Sequence, residues 1–341
     1  MRSHKLVFSE PFHAEWVEVD VPDPGPGEIV VRTRKTLIST GTELTAYTGD
    51  FLPDSVWAGY IQYPWPDAGY SNVGDVVAVG PDVTEFEIGQ RVANWGRHGS
   101  YNLLPLKGRF AGVQVVPDGV TDDQAVFWNL GKTVMNGVRL AKIALGEAVV
   151  LVGAGILGQL AAQYAGLSGA FPLIAVDLAE SRLRISQAHG ATHALVGGRD
   201  ELVDEIREIT GGRMADVAFE ITGNQHVIPS ILRMVRRLGR IILLGSPRGK
   251  VEVDFHDEVH TLGLQVIGAH VTTHPEVGTP YNPWTAARNG ELFFDLALAG
   301  RLRLEDLITH RYPWREAPAA YGMLAADRTQ ALAVVLEEWG E

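Results

Sequence analysis

A-V-V-L-V-G-A-G-I-L-G-Q, residues 148–159, opens on an apolar run, Val149 to Val152, of the kind that fills a strand buried on both faces. Gly153, Gly155 and Gly158 follow in G-x-G-x-x-G spacing, and an Ala- and Leu-rich run from Ile156 to Leu167 reads as a helix. Gly153 allows the tight turn out of the strand, Gly155 lets the backbone approach a pyrophosphate, and Gly158 lets the helix lie close to the sheet. Free N–H groups at the helix start, around Ile156 and Leu157, then receive the anion. A second apolar run, Leu173 to Val176, ends in Asp177, about 20 residues past the glycines, where a carboxylate accepts from ribose hydroxyls. That carboxylate repels a 2′-phosphate, so the expected cofactor is NAD rather than NADP; Arg182 and Arg184 nearby weaken the preference. The rival reading is a glycine turn in an α/β protein that binds no nucleotide.

The chain has 341 residues, enough for two domains with substantial cores. Charged residues make up 21% and hydrophobic residues 46%, as in ordinary globular proteins. A net charge of −12 argues against nucleic acid or an anionic membrane as partner, since both are polyanions. No apolar run is long enough to span a bilayer, and Glu10, Pro11 and His13 interrupt the N-terminal apolar stretch, so neither a membrane segment nor a signal peptide is expected and the reading is cytoplasmic. Cysteine is absent, which removes disulfides, thiolate zinc ligands and cysteine nucleophiles together.

Before residue 125 the chain reads as short strands broken by turns such as P-D-P-G-P-G, Pro22 to Gly27, with strands expected at 16–21, 28–37, 74–79, 90–94 and 113–116. From about Gly146 strands at 148–152, 173–176, 193–196, 216–219, 240–244 and 265–269 alternate with helices at about 156–168, 180–188, 200–210 and 226–237. That rhythm predicts a doubly wound parallel sheet. A helix near 284–299 and a final helix–strand pair are expected to fold back onto the first domain.

This order, with P-G-P-G-E-I-V-V-R at Pro24–Arg32, G-D-V-V-A-V-G at Gly74–Gly80, F-E-I-G-Q-R-V at Phe86–Val92, the glycine loop, L-I-T-H-R-Y-P at Leu307–Pro313 and E-A-P-A-A-Y after it, resembles the medium-chain dehydrogenase/reductase superfamily of zinc alcohol and polyol dehydrogenases. The resemblance implies an α/β protein with a β-rich GroES-like catalytic domain over 1–125 and 271–341 and a Rossmann NAD-binding domain over 126–270. In zinc members a C-G-T-D motif, a G-H-E motif and a Cys, Asp or Glu before the cofactor strand supply the metal ligands. Here those places hold Thr40-Gly41-Thr42-Glu43, Gly69-Tyr70-Ser71 and Asn129, and the four-cysteine structural lobe is missing, so the resemblance implies a member without the zinc ligands and no metal is expected. S-T-G-T-E at Ser39–Glu43 with the later G-Y pair resembles the subgroup that includes bacteriochlorophyllide hydroxyethyl dehydrogenases.

Where zinc members use the metal to bind the alkoxide, another group must stabilise that oxygen and move the proton. By the resemblance Thr42 stands at the relay hydroxyl and Tyr70 at a ligand position, free to donate to a carbonyl oxygen. Glu43, Asn129, Lys132, His98 and Tyr101 are further candidates; a Lys or His serves as base if burial brings its pKa toward neutrality. Thr222, Gly245, Ser246 and His270 are expected on the cofactor, His270 alternatively as a polar strand end. The aromatic residues Tyr47, Phe51, Trp57, Tyr60, Tyr63, Trp65 and Tyr70, with Trp95, Trp128 and Trp284, suggest a wall for a flat substrate or a sugar face; Tyr47, Trp57, Trp95, Tyr101 and Trp284 are the substrate candidates. His256-Asp257-Glu258-Val259-His260 loosely resembles a zinc-protease helix, but it falls in a connection between two strands.

The expected activity is zinc-independent, NAD(H)-dependent interconversion of a secondary alcohol and a ketone on a sugar, polyol or ring-bearing metabolite. Reduction of a C=C bond or a quinone, and nucleotide binding without catalysis, are the alternatives. The last sheet strand, near Val266–Ala269, is expected to pair across a twofold axis in a homodimer or homotetramer.

Overall fold

The computed structural model describes residues 1–108 and 112–339 and divides into two units, Met1–Leu130 with Ala287–Glu341, and Gly131–Ala286. In chain order the first unit begins with β1 (Arg2–Glu10), β2 (His13–Asp20), β3 (Glu28–Ile38), α1 (Thr42–Thr48), α2 (Val56–Tyr60), β4 (Asn72–Val79), β5 (Arg91–Asn94), β6 (Tyr101–Pro105), β7 (Val113–Val115) and α3 (Asp122–Ala125). Helix α4 (Trp128–Ala141) runs from the first unit into the second. The second unit holds β8 (Val149–Val152), α5 (Ile156–Leu167), β9 (Leu173–Asp177), α6 (Glu180–Ala188), β10 (His193–Val196), α7 (Leu202–Ile209), β11 (Ala215–Glu220), α8 (Ile228–Met234), β12 (Val235–Leu243) and β13 (Gln265–Gly268). The chain then returns to the first unit with α9 (Ala286–Leu298), β14 (Ile308–Pro313), α10 (Ala317–Ala326) and β15 (Ala333–Glu337).

The first unit is built on a sheet of order β14-β15-β3-β4-β5-β7, with β6 also paired to β3. β15 runs antiparallel to β3 through Thr36–Ile38, so the last strand of the chain completes the sheet of the first. β1 and β2 form a hairpin, and the inward Leu6 and Phe8 of β1 pack with Tyr47, Trp65, Trp314, Tyr321 and Val334. The apolar alternation of β1 is short; β2 pairs with it from Arg2 to Glu10, and on its other edge the His98 and Trp65 carbonyls accept from the Leu6 and Phe8 amides.

In the second unit six strands lie parallel in the order β10-β9-β8-β11-β12-β13. That is the doubly wound order in which ligands bind outside the carboxyl ends of the strands. All four residues of β8 are buried, as a strand covered on both faces requires. The helix expected over 226–237 stops at Met234, and β12 takes over at Val235: Leu238 adopts φ 59° and the register with β11 shifts there. The segment from 271 to 286 belongs with this unit rather than with the first. Asn136 of α4 donates to Thr273 Oγ1 at 2.9 Å, His274 Nε2 lies 3.2 Å from the Lys132 carbonyl, and the Arg139 guanidinium lies 3.3 Å from the centre of the Trp284 ring. Among the described residues no helix is long and apolar enough to cross a membrane.

The glycine loop keeps the geometry its spacing predicts. Gly153 has φ +107°, and a methyl group at Gly158 would stand 2.0 Å from the Gly153 carbonyl oxygen. Gly158→Ala therefore forces α5 away from the loop. The expected result is a loss of about 1–3 kcal/mol in urea unfolding together with weaker NAD binding; unchanged values for both would refute the close-packing role.

Candidate functional site

The first unit carries a polar chain that begins at Tyr70. This residue precedes β4 and is partly exposed. Its hydroxyl donates to Ser39 Oγ, and the Thr42 side chain, at the start of α1, lies beside it. Asn129 at the start of α4 donates from Nδ2 to the Tyr70 carbonyl at 2.6 Å, which fixes the backbone on which the ring stands. The Trp95 ring lies 5.8 Å from the Tyr70 ring. Burial, with the Glu43 charge adding to it, pushes the Tyr70 pKa up to about 12. The phenol is therefore a proton-bearing donor at neutral pH.

Behind Ser39 the chain continues into the interior. The Ser39 amide donates to Glu43 Oε1 at 2.8 Å; Glu43 Oε2 accepts from the Tyr321 hydroxyl and lies 2.8 Å from His98 Nε2. His98 Nδ1 is 2.8 Å from Thr36 Oγ1. The side chains of Glu43 and His98 have no exposed surface. Both were candidates for contact with substrate, and the structure instead places both inside the core, where β3, α1 and α10 enclose them. Burial and the Glu43 carboxylate raise the Tyr321 pKa well above the usual phenol range, so that hydroxyl stays a donor.

At the positions where the resemblance expects zinc ligands, the donor set does not suit a zinc ion. Thr40, Tyr70 and Asn129 offer no thiolate and no imidazole; the Tyr70 hydroxyl is committed to Ser39 and the Asn129 amide nitrogen to a backbone carbonyl. Among the described residues no three of His, Asp and Glu are grouped so as to hold a metal. His256 and His260 lie on a π-helical turn, Phe255–His260, with ring centres 5.8 Å apart and His256 Nδ1 paired to Asp257 at 2.7 Å.

The aromatic wall is reduced by the structure. Tyr47 is buried, donates to the Phe12 carbonyl and packs on Phe8 and Tyr321, so it is core. Trp65 is core likewise. Tyr101 lies in β6 opposite Arg32, with its amide donating to Ser3 Oγ, and is partly exposed. Trp57 is half-buried against the same core. Trp284 lies in the second unit under Arg139. Of the aromatic candidates, Trp95 has its ring beside Tyr70.

In the second unit α5 begins at Ile156, with Gly155 as its N-cap residue and no side chain capping the first N–H groups. Ile156 is buried under the helix and Leu157 is partly exposed. Asp177, at the end of β9, accepts from the Ala154 amide at 2.7 Å and from the Ala179 amide at 2.9 Å, and Arg182 Nη1 stands 4.0 Å away. The carboxylate thus ties the glycine loop to the following turn. Glu220, at the end of β11, was not anticipated. It is buried, and its Oε1 accepts from the Thr222 amide and hydroxyl, both at 2.6 Å, and from the Gly223 amide at 2.8 Å. Thr222 is thereby a turn former held by Glu220, and Gly245 lies against the same carboxylate. Burial raises the Glu220 pKa. An acid ending an otherwise apolar run, A-F-E at 218–220, was the available signal. Ser246 follows β12 within the same unit, and His270 is exposed, with Nδ1 2.8 Å from Thr272 Oγ1 at the turn after β13. Lys132 is almost wholly buried, and that burial holds its ammonium pKa well below the usual value; the His274 pKa is lowered for the same reason.

Residues 25–136 match the family model of the alcohol dehydrogenase GroES-like domain, and residues 157–286 match that of the zinc-binding dehydrogenase. The chain is similar to an L-threonine 3-dehydrogenase of Pyrococcus abyssi, 30% identical over 355 residues that cover 96% of each chain. It is similar to a D-guloside 3-dehydrogenase of Escherichia coli K12, 27% identical, covering 93% of this chain and 94% of that one. A solved alcohol dehydrogenase from Escherichia coli CFT073, complexed with NADH, shares the fold with a TM-score of 0.82 at 19% identity, covering 98% of this chain and 99% of that one.

Proposed function

Because the chain belongs to the zinc-type alcohol dehydrogenase family of the medium-chain dehydrogenase/reductase superfamily, we propose that it is an NAD(H)-dependent oxidoreductase acting on CH–OH groups, and that it works without zinc. Its substrate pair is a secondary alcohol and a ketone on a sugar, polyol or ring-bearing metabolite. The observation that carries this reading is the Tyr70 hydroxyl: a protonated donor stands at the position where relatives are expected to hold a metal-binding imidazole.

Gly153, Gly155 and Gly158 with the N–H groups of α5 would hold the pyrophosphate, and Asp177 would take the ribose hydroxyls. The nicotinamide, when bound, would supply the hydride for reduction and take it up in oxidation. With a ketone in place the Tyr70 O–H turns from Ser39 Oγ to the ketone oxygen, the Ser39 hydroxyl donating to the phenol oxygen instead, and gives the ketone oxygen the proton as negative charge develops there. Ser39 and Thr42, both hydroxyls beside Tyr70, carry a proton back to the phenol. Asn129 and the Ser39–Glu43 contact keep the donor aimed.

The test is metal analysis of the purified protein together with NADH- and NADPH-linked reduction of cyclic, sugar and polyol ketones, and the reverse oxidations, with and without chelator. Chelator-resistant turnover that prefers NAD(H), with no bound zinc, is expected. Stoichiometric zinc, or activity abolished by chelator, would overturn the zinc-free reading; a preference for NADPH would overturn the role of Asp177.

A further inference from the structure

Beside Tyr70 the first unit carries a charged group that the proton chemistry does not use. The segment Asp67–Tyr70 is pressed against Arg97–His98. The His98 amide donates to the Ala68 carbonyl at 2.9 Å, and a methyl group at Gly69 would stand 2.5 Å from the His98 nitrogen. Arg97 Nη1 donates to the Gly69 carbonyl at 3.0 Å, so the guanidinium is anchored on the residue next to Tyr70. Its Nε lies 3.5 Å from Asp67 Oδ1, and the Tyr60 hydroxyl lies beside it. Lys5 of β1, bridged through its backbone to Gly99, brings a second cation within the field of both Asp67 and Arg97.

Arg97 and Lys5 set two cations against Asp67 on a chain whose net charge is −12, with the buried Glu43 carboxylate acting on Tyr60 and Tyr70 from behind. Of the five N–H donors of the Arg97 fork, one is spent on Gly69, Nε faces Asp67 and the Tyr60 hydroxyl bonds beside them, so a carboxylate or a phosphate would meet the remaining edge of the guanidinium. The site is reachable: the Arg97 side chain is 30% exposed and Tyr60 is exposed. Lys5 points the same way, since half-burial already lowers its ammonium pKa, a cost that an incoming anion offsets.

We propose that Arg97, together with Lys5, is the substrate-recognition group of this site, and that the substrate carries an anionic group, a carboxylate or a phosphate, close to its reacting carbon. The proposal deepens the dehydrogenase reading and rests on Tyr70 as the proton donor.

The experiment uses three matched ketones with NADH: hydroxyacetone, pyruvate and hydroxyacetone phosphate. Wild type, Arg97→Gln, Arg97→Lys, Lys5→Gln and Tyr70→Phe are compared, with binding of each ketone followed by tryptophan quenching up to tens of millimolar. Pyruvate or hydroxyacetone phosphate is expected to exceed hydroxyacetone in kcat/KM by about tenfold or more, and the stronger arm identifies carboxylate or phosphate. Arg97→Gln raises KM or the binding constant for the anion by about tenfold more than it changes the values for hydroxyacetone; Arg97→Lys recovers part of that difference, and Lys5→Gln gives a smaller shift in the same direction. An equal loss for charged and neutral ketones, or no binding of either anion by the wild type, overturns the proposal. Arg97-dependent anion binding with Tyr70→Phe fully active sinks the Tyr70 reading and leaves the anion site standing. Tyr70-dependent reduction indifferent to Arg97 and Lys5 does the reverse.

Discussion

Tyr70→Phe lowers kcat/KM for ketone reduction by about 10²–10⁴-fold, the range lost with a positioned acid, while NADH affinity and the melting temperature stay at the wild-type values. The change removes one oxygen. The ring keeps its place beside Trp95, and Asn129 still holds the backbone carbonyl, so the fold has no reason to yield. What disappears is the donor in line with Ser39. The pH profile follows from the direction of the shift. A phenol whose pKa is pushed up to about 12 remains protonated below that value, so the donor is present throughout the neutral range and is lost only as pH rises toward 12. A wild-type rate that falls steeply between pH 7 and 9 through loss of a Tyr70-dependent step would contradict this, as would a Tyr70→Phe enzyme within a factor of two or so of wild type.

Glu43→Ala is expected to cost about 3–5 kcal/mol of stability in urea unfolding, because it removes one partner from a wholly buried pair. Three groups lose their acceptor at once: the Ser39 amide, the Tyr321 hydroxyl and the His98 ring. None can turn to water, since all lie in the interior between β3, α1 and α10. Glu43→Gln retains one acceptor oxygen but turns an amide N–H₂ toward Tyr321 or His98, and its cost is intermediate. A cycle with His98→Ala separates the pair from the rest: non-additivity of about 1 kcal/mol or more marks the His98 contact as coupled, and simple additivity removes it from the account. A Glu43→Ala protein as stable as wild type would mean that the buried network does not hold the unit together.

The second unit was readable because its signals are local. Val149–Val152, the glycines and Asp177 sit within one strand–helix–strand span, and each must satisfy a backbone constraint that the residue type reveals. The first unit was less so. Glu43 and His98 are separated by 55 positions, and Tyr321 comes 278 after Glu43. Nothing in the spacing tells an inward acid from one that meets substrate, and both had been expected at the surface of the site. The same blindness applies to Tyr47 and Trp65, which share a proline-rich run with Tyr60 and Tyr70 but fill the core. Arg97 and Lys5 lay unremarked because their meaning depends on β1 lying along 97–100, a pairing over some ninety positions. Glu220 was legible in principle: an acid closing a buried strand has to be answered by donors, and here Thr222 and Gly223, two and three residues on, supply them.

The return of the chain to its first sheet sets an order on synthesis. Gly131–Ala286 is contiguous and can close its own core as soon as it has left the ribosome. The sheet of the other unit waits longer: until β15 emerges, Thr36–Ile38 of β3 is unpaired on the edge away from β4, and β14, which among the described residues pairs with β15, has no place to dock. During that interval the growing polypeptide carries an open sheet edge beside uncovered Phe8 and Tyr47, the kind of surface that chaperones hold and that aggregation exploits. Premature termination after Ala286 and before Ala333 therefore yields a chain with one finished half and one sticky half.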